Sequence, residues 1–170
     1  EAFDALGAPI PGNVIEGNFI GTDVTGTVNR RNGDGIRIVG APNNTIGGLT
    51  PGARNVISSN NQEGIFIFFA NQNLVQGNFI GTNAAGTAAL GNNHHGIVIT
   101  GTSNIIGGTT AEARNVISGN ATIGVFFASP RVGGNFVQGN FIGTDVTGTK
   151  AIPNRSIGVG GQSPNNTIGG

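Results

Sequence analysis

The chain of 170 residues contains no cysteine, which excludes disulfides and any thiolate metal site. Charge is scarce: Asp, Glu, Lys and Arg together make up 9% of the residues and the formal net charge is zero. The basic footprint of a nucleic-acid binder is therefore missing, and nothing in the charge balance calls for an acidic partner. No run of 18 apolar residues occurs, so no membrane span is expected. Ala, Leu, Glu and Lys are thin, and no window holds a 3.6-residue apolar period, which excludes long helices. The start, Glu1-Ala-Phe-Asp4, lacks the charged head and apolar centre of a signal peptide, and the chain is expected to be a mature piece or fragment of a longer protein.

What the chain has instead is glycine, 32 of them, asparagine throughout, and Ile, Val and Phe in short runs. These β-forming residues bounded by Gly and Asn read as strands and turns. The fold class is all-β. One decapeptide is written three times: Asn13-Val-Ile-Glu-Gly-Asn-Phe-Ile-Gly-Thr22, Asn73-Leu-Val-Gln-Gly-Asn-Phe-Ile-Gly-Thr82 and Asn135-Phe-Val-Gln-Gly-Asn-Phe-Ile-Gly-Thr144. Its central glycines, Gly17, Gly77 and Gly139, lie 60 and 62 residues apart. Recurrence at a nearly fixed interval is the signature of a repeat architecture.

Each 60-residue unit contains two turns of about half that length. A first strand opens on glycine at Gly35-Ile-Arg-Ile38, Gly64-Ile-Phe-Ile67, Gly96-Ile-Val-Ile99, Gly124-Val-Phe-Phe127 and Gly158-Val159. A second follows at Asn44-Thr-Ile-Gly-Gly48, Leu74-Val-Gln76, Asn104-Ile-Ile-Gly-Gly108, Phe136-Val-Gln138 and Asn166-Thr-Ile-Gly-Gly170. A third comes at Asn55-Val-Ile-Ser58, Asn78-Phe-Ile-Gly81, Asn115-Val-Ile-Ser118 and Asn140-Phe-Ile-Gly143. Three short strands in constant order describe a coil of triangular section. The single domain at 1–170 divides into coils at 1–34, 35–63, 64–95, 96–123 and 124–157, with a partial coil at 158–170. The start fits by aligning Ala2–Leu6 with Gly124–Ala128.

Stacking at about 4.8 Å per coil predicts three internal columns. The first is Ile36, Ile38, Ile65, Ile67, Ile97, Ile99, Val125 and Phe127; the second Ile15, Ile46, Val75, Ile106, Val137 and Ile168; the third Ile20, Ile57, Ile80, Ile117 and Ile142. Stability must then come from neighbouring coils, since no coil can bury its apolar face alone. The recurrent Asn residues suit corners, where their side chains bond to main chain and tolerate left-handed backbone. Asn18, Asn55, Asn78, Asn115 and Asn140 are predicted to stack as an amide ladder.

Coils alternate. Those at 1–34, 64–95 and 124–157 carry a long loop after the third strand, Asp23-Val-Thr-Gly-Thr27, Asn83-Ala-Ala-Gly-Thr87 and Asp145-Val-Thr-Gly-Thr149. Phe19, Val56, Phe79, Val116 and Phe141 would line the outside of the third strands as one apolar stripe. Bare stripes of that size are unusual, so each loop is expected to fold back over two coils, which explains a period of two.

Arg54-Asn-Val-Ile-Ser58, Arg114-Asn-Val-Ile-Ser-Gly-Asn120, Gln138-Gly-Asn-Phe-Ile-Gly-Thr-Asp-Val-Thr-Gly-Thr149 and Pro42-Asn-Asn-Thr-Ile-Gly-Gly48 resemble the repeats of bacterial right-handed parallel β-helix proteins with a pectin-lyase-like coil, which are secreted or held at the cell surface. The resemblance covers nearly the whole chain and implies a right-handed coil and an extracellular or cell-surface, bacterial setting. It implies little about activity, since a fold does not fix one.

Candidate chemistry is thin. Glycoside hydrolysis needs two carboxyls roughly 5–10 Å apart on one face; Asp23 and Asp145 share a loop position but stand four coils apart, about 19 Å, with Asn83 between. A lyase's acid cluster beside a base is not evident, and Asp4 with Arg37 reads as a surface pair. No catalytic, cofactor or metal residues are assigned: His94-His95 has no converging ligands and reads as a solvated loop, and the Gly-Gly-x-Gly-x-Asp calcium repeat is missing. Asn43, Asn120, Asn154 and Asn165 open glycosylation triplets of the kind an Asn-rich chain produces by chance. Thr22, Thr82 and Thr144 recur only every second coil, too sparsely for an ice-binding array. Arg54 and Arg114 are expected to bond corner carbonyls.

One surface departs from the repeat. Phe66, Val98 and Phe126, with Phe68 nearby, should be outward neighbours on three successive first strands, a contact surface for a protein or a sugar or a patch covered by a flanking segment. The ends, without polar caps, would expose strand edges, which favours stacking onto a second copy or continuation in a longer coil. Two functional readings stay open: a structural or adhesive module, and a carbohydrate-binding or carbohydrate-active β-helix.

Overall fold

The computed structural model describes residues 12–131 and 133–170. They form a parallel β-solenoid of about five turns, three strands to the turn, with no α-helix among the described residues. The first sheet stacks Ile36–Val39, Ile65–Phe68, Ile97–Ile99, Val125–Phe127 and Val159–Gly161. The second stacks Val14–Ile15, Thr45–Gly47, Leu74–Gln76, Ile105–Gly107, Phe136–Gln138 and Thr167–Ile168. The third stacks Phe19–Ile20, Val56–Ile57, Phe79–Ile80, Val116–Ile117 and Phe141–Ile142. The expected first strand of coil 1–34 falls outside the described residues.

All three columns form in register. Ile36 pairs with Ile65, Ile65 with Ile97, Ile97 with Val125 and Val125 with Val159. Ile15, Ile46, Val75, Ile106, Val137 and Ile168 follow one another on the second sheet. Ile20, Ile57, Ile80, Ile117 and Ile142 do so on the third. Together they make one continuous core, except that Ile168, in the last described strand, is 59% exposed and stays outside it. β-Branched side chains suit it because they are stiff at χ1 and pack well against their neighbours on a pleated surface.

The corners hold more than the expected ladder. Asn18, Asn55, Asn78, Asn115 and Asn140 do stack, each Nδ2 donating to the next Oδ1 at 2.9–3.1 Å. A second ladder runs Asn13, Asn44, Asn73, Asn104, Asn135, Asn166 between the first and second sheets. A third runs Asn32, Asn60, Asn92, Asn120, Asn154 between the third and first. Most of these Oδ1 atoms also accept a backbone N–H from the preceding coil, as in Asn44 N to Asn73 Oδ1 at 3.0 Å, and amide hydrogens also turn to corner carbonyls such as Ile46, Val75 and Ile117. A chain that bends sharply cannot pair its corner main chain in a sheet; asparagine, with donors and an acceptor on one short stem, completes it.

The long loops do lie over the third sheet. Each closes through an antiparallel bridge, Thr22 to Asn29, Thr82 to Ala89 and Thr144 to Ala151. They stack directly on one another two coils apart, Ala84 N donating to Gly26 O at 3.0 Å and Val146 N to Gly86 O at 2.8 Å. Gly86 has φ of +67°, and a Cβ there would sit 3.0 Å from the Phe79 ring, so glycine is what lets the loop close on the aromatic. From the other side Arg54 lies 4.2 Å from the Phe79 ring centroid and Arg114 4.1 Å from that of Phe141. Their Nε atoms donate to Gly77 O and Gly139 O, the corner carbonyls expected of them. Val56, Phe79 and Val116 are consequently buried, Phe141 is half-buried, and Phe19, at the first described coil, stays 44% exposed.

Candidate functional site

The acids of the long loops are structural. Asp23 Oδ1 accepts from the Thr25 hydroxyl and from the Thr27 and Val28 amides. Asp145 Oδ1 accepts from the Thr147 hydroxyl and from the amides of Thr147, Thr149 and Lys150. Asn83 does the same work, its Oδ1 taking the Thr87 and Ala88 amides. At Asp23 burial pushes the carboxyl upward, but the Thr25 hydroxyl, the Val28 and Thr27 amides and Arg30 outweigh it and hold it below the usual value. At Asp145 the Thr147 hydroxyl is the main cause of the lowering, opposed by burial and reinforced by the three amides.

Because these groups ionise more readily in the fold than in the unfolded chain, their contribution is complete above the ordinary aspartate range and is lost as pH falls through the lowered value. Asp145→Asn, which copies the residue already at 83, is expected to leave the thermal midpoint at pH 7 unchanged and to flatten its decline between pH 5 and 3. Melting curves across that range check it.

Other candidates also resolve into scaffold. Thr22 and Thr82 are buried and offer no outward array. Asn120 and Asn154 belong to the third ladder, while Asn43 and Asn165 occupy left-handed corner positions with φ of 59° and 54°. Arg37 pairs with Asp34 at 3.2 Å; Asp4 lies outside the described residues.

The first sheet's outer surface is different. Arg37, Phe66, Val98, Phe126 and Gly160 occupy one row along the axis, as expected for the phenylalanines. Phe66 and Phe68 meet edge to face with centroids 5.4 Å apart, and Phe68 meets Phe69 at 4.3 Å. The Arg37 guanidinium lies 5.0 Å from the Phe66 centroid. Val98 departs from the expectation: flanked by larger neighbours on both sides, it is only 5% exposed and forms the floor between two aromatic stations.

Phe69 belongs to the site and does not belong to any repeat motif. It follows Phe68 as Gly40 follows Val39 in the paired strand, and it keeps the left-handed backbone of that glycine, φ 46° against 66°. A side chain there costs about 1–2 kcal/mol, and the ring gains little burial in return, being 60% exposed. The Thr100 hydroxyl accepts its N–H at 2.8 Å.

Beside the aromatics runs a polar row. Asp34 Oδ1 accepts the Glu63 amide at 3.3 Å. Glu63 Oε2 is buried, makes no hydrogen bond and faces His94 Nδ1 at 3.4 Å. His94 is exposed as expected, but His95 is not a solvated loop residue. Its ring stacks on Phe126 with centroids 4.9 Å apart and planes 25° apart, and its Nδ1 lies 2.8 Å from the Thr122 hydroxyl and 3.3 Å from the Ile123 amide nitrogen.

A second apolar row stands outside the second sheet, where Val14, Thr45, Leu74, Ile105, Phe136 and Thr167 follow one another. Val14, Ile105 and Phe136 are exposed, but among the described residues no charged or aromatic cluster gathers round them. Among the described residues no group of three His, Asp or Glu side chains could hold a metal ion, and no helix is long and apolar enough to cross a membrane. Comparison with known proteins finds no matching family model, no similar curated protein and no similar solved structure.

Proposed function

We propose that the chain is a structural, adhesive module of a secreted or cell-surface bacterial protein, built on a pectin-lyase-like coil and presenting the outer face of its first sheet to a partner. The observation that carries this reading is the division of labour among side chains. The repeated asparagines, the loop acids and the arginines at 54 and 114 are all taken up in internal bonds or ring contacts. The aromatics that break the repeat, Phe66, Phe68, Phe69 and Phe126, gather on one face, and one of them holds an unfavourable backbone conformation while exposed. Unfavourable geometry kept at a surface supports a role in contact.

A carbohydrate partner is the second reading, favoured by ring faces bordered by Arg37, Glu63 and His94. Such a mixture suits a ligand with apolar faces and hydroxyl edges. Self-association end to end is a further form of the structural reading: each ladder residue donates to one side and accepts from the other, the polarity that a second copy would continue.

Phe66→Ser combined with Phe126→Ser is expected to abolish binding on a glycan or surface-protein array, at least a tenfold loss, with the thermal midpoint nearly kept because both rings lie outside the core. Undiminished binding would sink the contact-face reading. Release of unsaturated products from polyuronates by the unmodified chain would replace it with an enzymatic one, and sedimentation velocity reads the stacking.

A further inference from the structure

His95 sits where the coil beginning at Gly64 passes to the one beginning at Gly96, and its ring faces two kinds of neighbour. On one side is the Phe126 ring. On the other, Nδ1 meets the Thr122 hydroxyl and the Ile123 amide of the following coil. A backbone N–H only donates, so Nδ1 must be the unprotonated nitrogen, with the imidazole neutral and its proton on Nε2. His95 thus completes a corner that elsewhere relies on coil-to-coil backbone bonds: Gly96 N donates to Ile123 O and Ser156 N to Thr122 O. The titratable groups facing it are Glu63, on the preceding coil, and its neighbour His94.

We propose that His95 is a pH-sensitive latch on the contact face: neutral, it fixes the Thr122–Ile123 corner beside the Phe126 ring; protonated, it lets go of that corner. A proton on Nδ1 turns an acceptor into a donor. The Thr122 hydroxyl can rotate to accept it, but the Ile123 N–H is left facing an N–H with no partner. The Phe126 ring remains a platform in either state, since an aromatic face holds a cation as well as a neutral ring, so the release falls on the Ile123 amide. Burial is the leading reason that His95 resists protonation, opposed by the Glu63 charge and aided by His94. A histidine held below its ordinary value contributes stability that is present above that value, 6.5, and is lost as pH falls through the lowered one. The latch closes at neutral pH and opens in mild acid, the interval in which histidine acts as a switch. Its bearing on binding rests on the contact-face reading; the latch itself does not.

The test uses the unliganded chain, so it is independent of any partner. Imidazole resonances of His95 and amide exchange at Ile123 are followed by NMR from pH 7.5 to pH 5. The expected result is a drop of about tenfold in the Ile123 protection factor, beyond the intrinsic pH effect, as would accompany a one-unit separation of pH from the His95 midpoint. That drop should share its midpoint with the His95 ring shift and with movement of the Phe126 ring signals. His95→Asn places an amide oxygen near Nδ1 and does not titrate, so Ile123 protection should become flat with pH; His94→Gln should keep the response. The latch is overturned if Ile123 protection does not follow the His95 titration, or if the drop persists in His95→Asn. Should His95→Asn fail to fold, coincidence of the two midpoints in the unmodified chain decides alone.

Discussion

Asn78→Ala is expected to destabilise the solenoid by about 3–5 kcal/mol, the sum expected when two or three buried polar groups are each left without a partner. Asn78 is fully buried. Its Oδ1 takes both the side-chain and backbone donors of Asn55, at 2.9 and 3.3 Å. Its Nδ2 serves Ile46 O, Gln76 O and Asn115 Oδ1. Truncation leaves the Asn55 backbone amide without an acceptor and takes a donor from the Ile46 carbonyl in a corner closed to water, and breaks the ladder at its middle. Asn18→Ala, removing the exposed first member, should cost under about 1 kcal/mol, an ordinary surface effect. Urea unfolding measures the contrast. A falling m-value for Asn78→Ala would mean that the coils on either side of the break come apart separately, as a chain of nearest-neighbour interactions allows. Similar midpoints for the two variants would show that the ladder is decoration.

How far the sequence reveals this molecule depends on whether a feature keeps constant spacing. The strands and columns do, because Gly35, Gly64, Gly96 and Gly124 open equivalent strands and each is followed at once by its core isoleucine or valine. The ladder through Asn78 is legible for the same reason, since each member immediately precedes its third strand. The ladder through Asn92 is not: Asn60 and Asn120 lie three residues beyond Ile57 and Ile117, whereas in the alternate coils a long loop intervenes and carries Asn32, Asn92 and Asn154 far from the strand they serve. The ladder through Asn73 keeps regular spacing, yet its asparagines also mark strand starts, and that simpler role accounts for them without a bond between coils.

The contact face shows the opposite limitation. Phe66, Phe68 and Phe126 are visible as departures from a repeat, and alternation along a strand places them outward. Their surroundings are not visible. Phe69 follows them at a position where only the backbone conformation, shared with Gly40, reveals that a costly choice has been made. His95 joins the site because a loop delivers it beside the next coil, and loops carry no period from which its contacts with Thr122, Ile123 and Phe126 follow. The recess at Val98 likewise depends on the size of its neighbours and not on its own pattern.

Phe79→Ala, the second large effect, is expected to cost about 3–5 kcal/mol, the usual range for removing a buried phenylalanine. The ring is 3% exposed, packed between the Gly86 loop and the Arg54 guanidinium, so neither side can collapse into the space without losing a backbone bond that the ring holds in place. Arg54 donates to Gly77 O while lying on that ring, and Arg54→Ala alone should cost about 1–2 kcal/mol through the lost bond and cation–π contact. In the double variant the two costs should fall short of additive, because the guanidinium has lost its platform once the ring is gone. Phe79 and Phe66 are both phenylalanines on the outside of a strand, but Phe79 is enclosed by its own chain and Phe66 is not. Phe79→Ala should therefore lower the thermal midpoint and leave partner binding intact at temperatures where the chain stays folded, whereas Phe66→Ser with Phe126→Ser should do the reverse. If both variants lost stability and binding together, the two faces would not be separable and the first sheet's aromatics would be part of the scaffold.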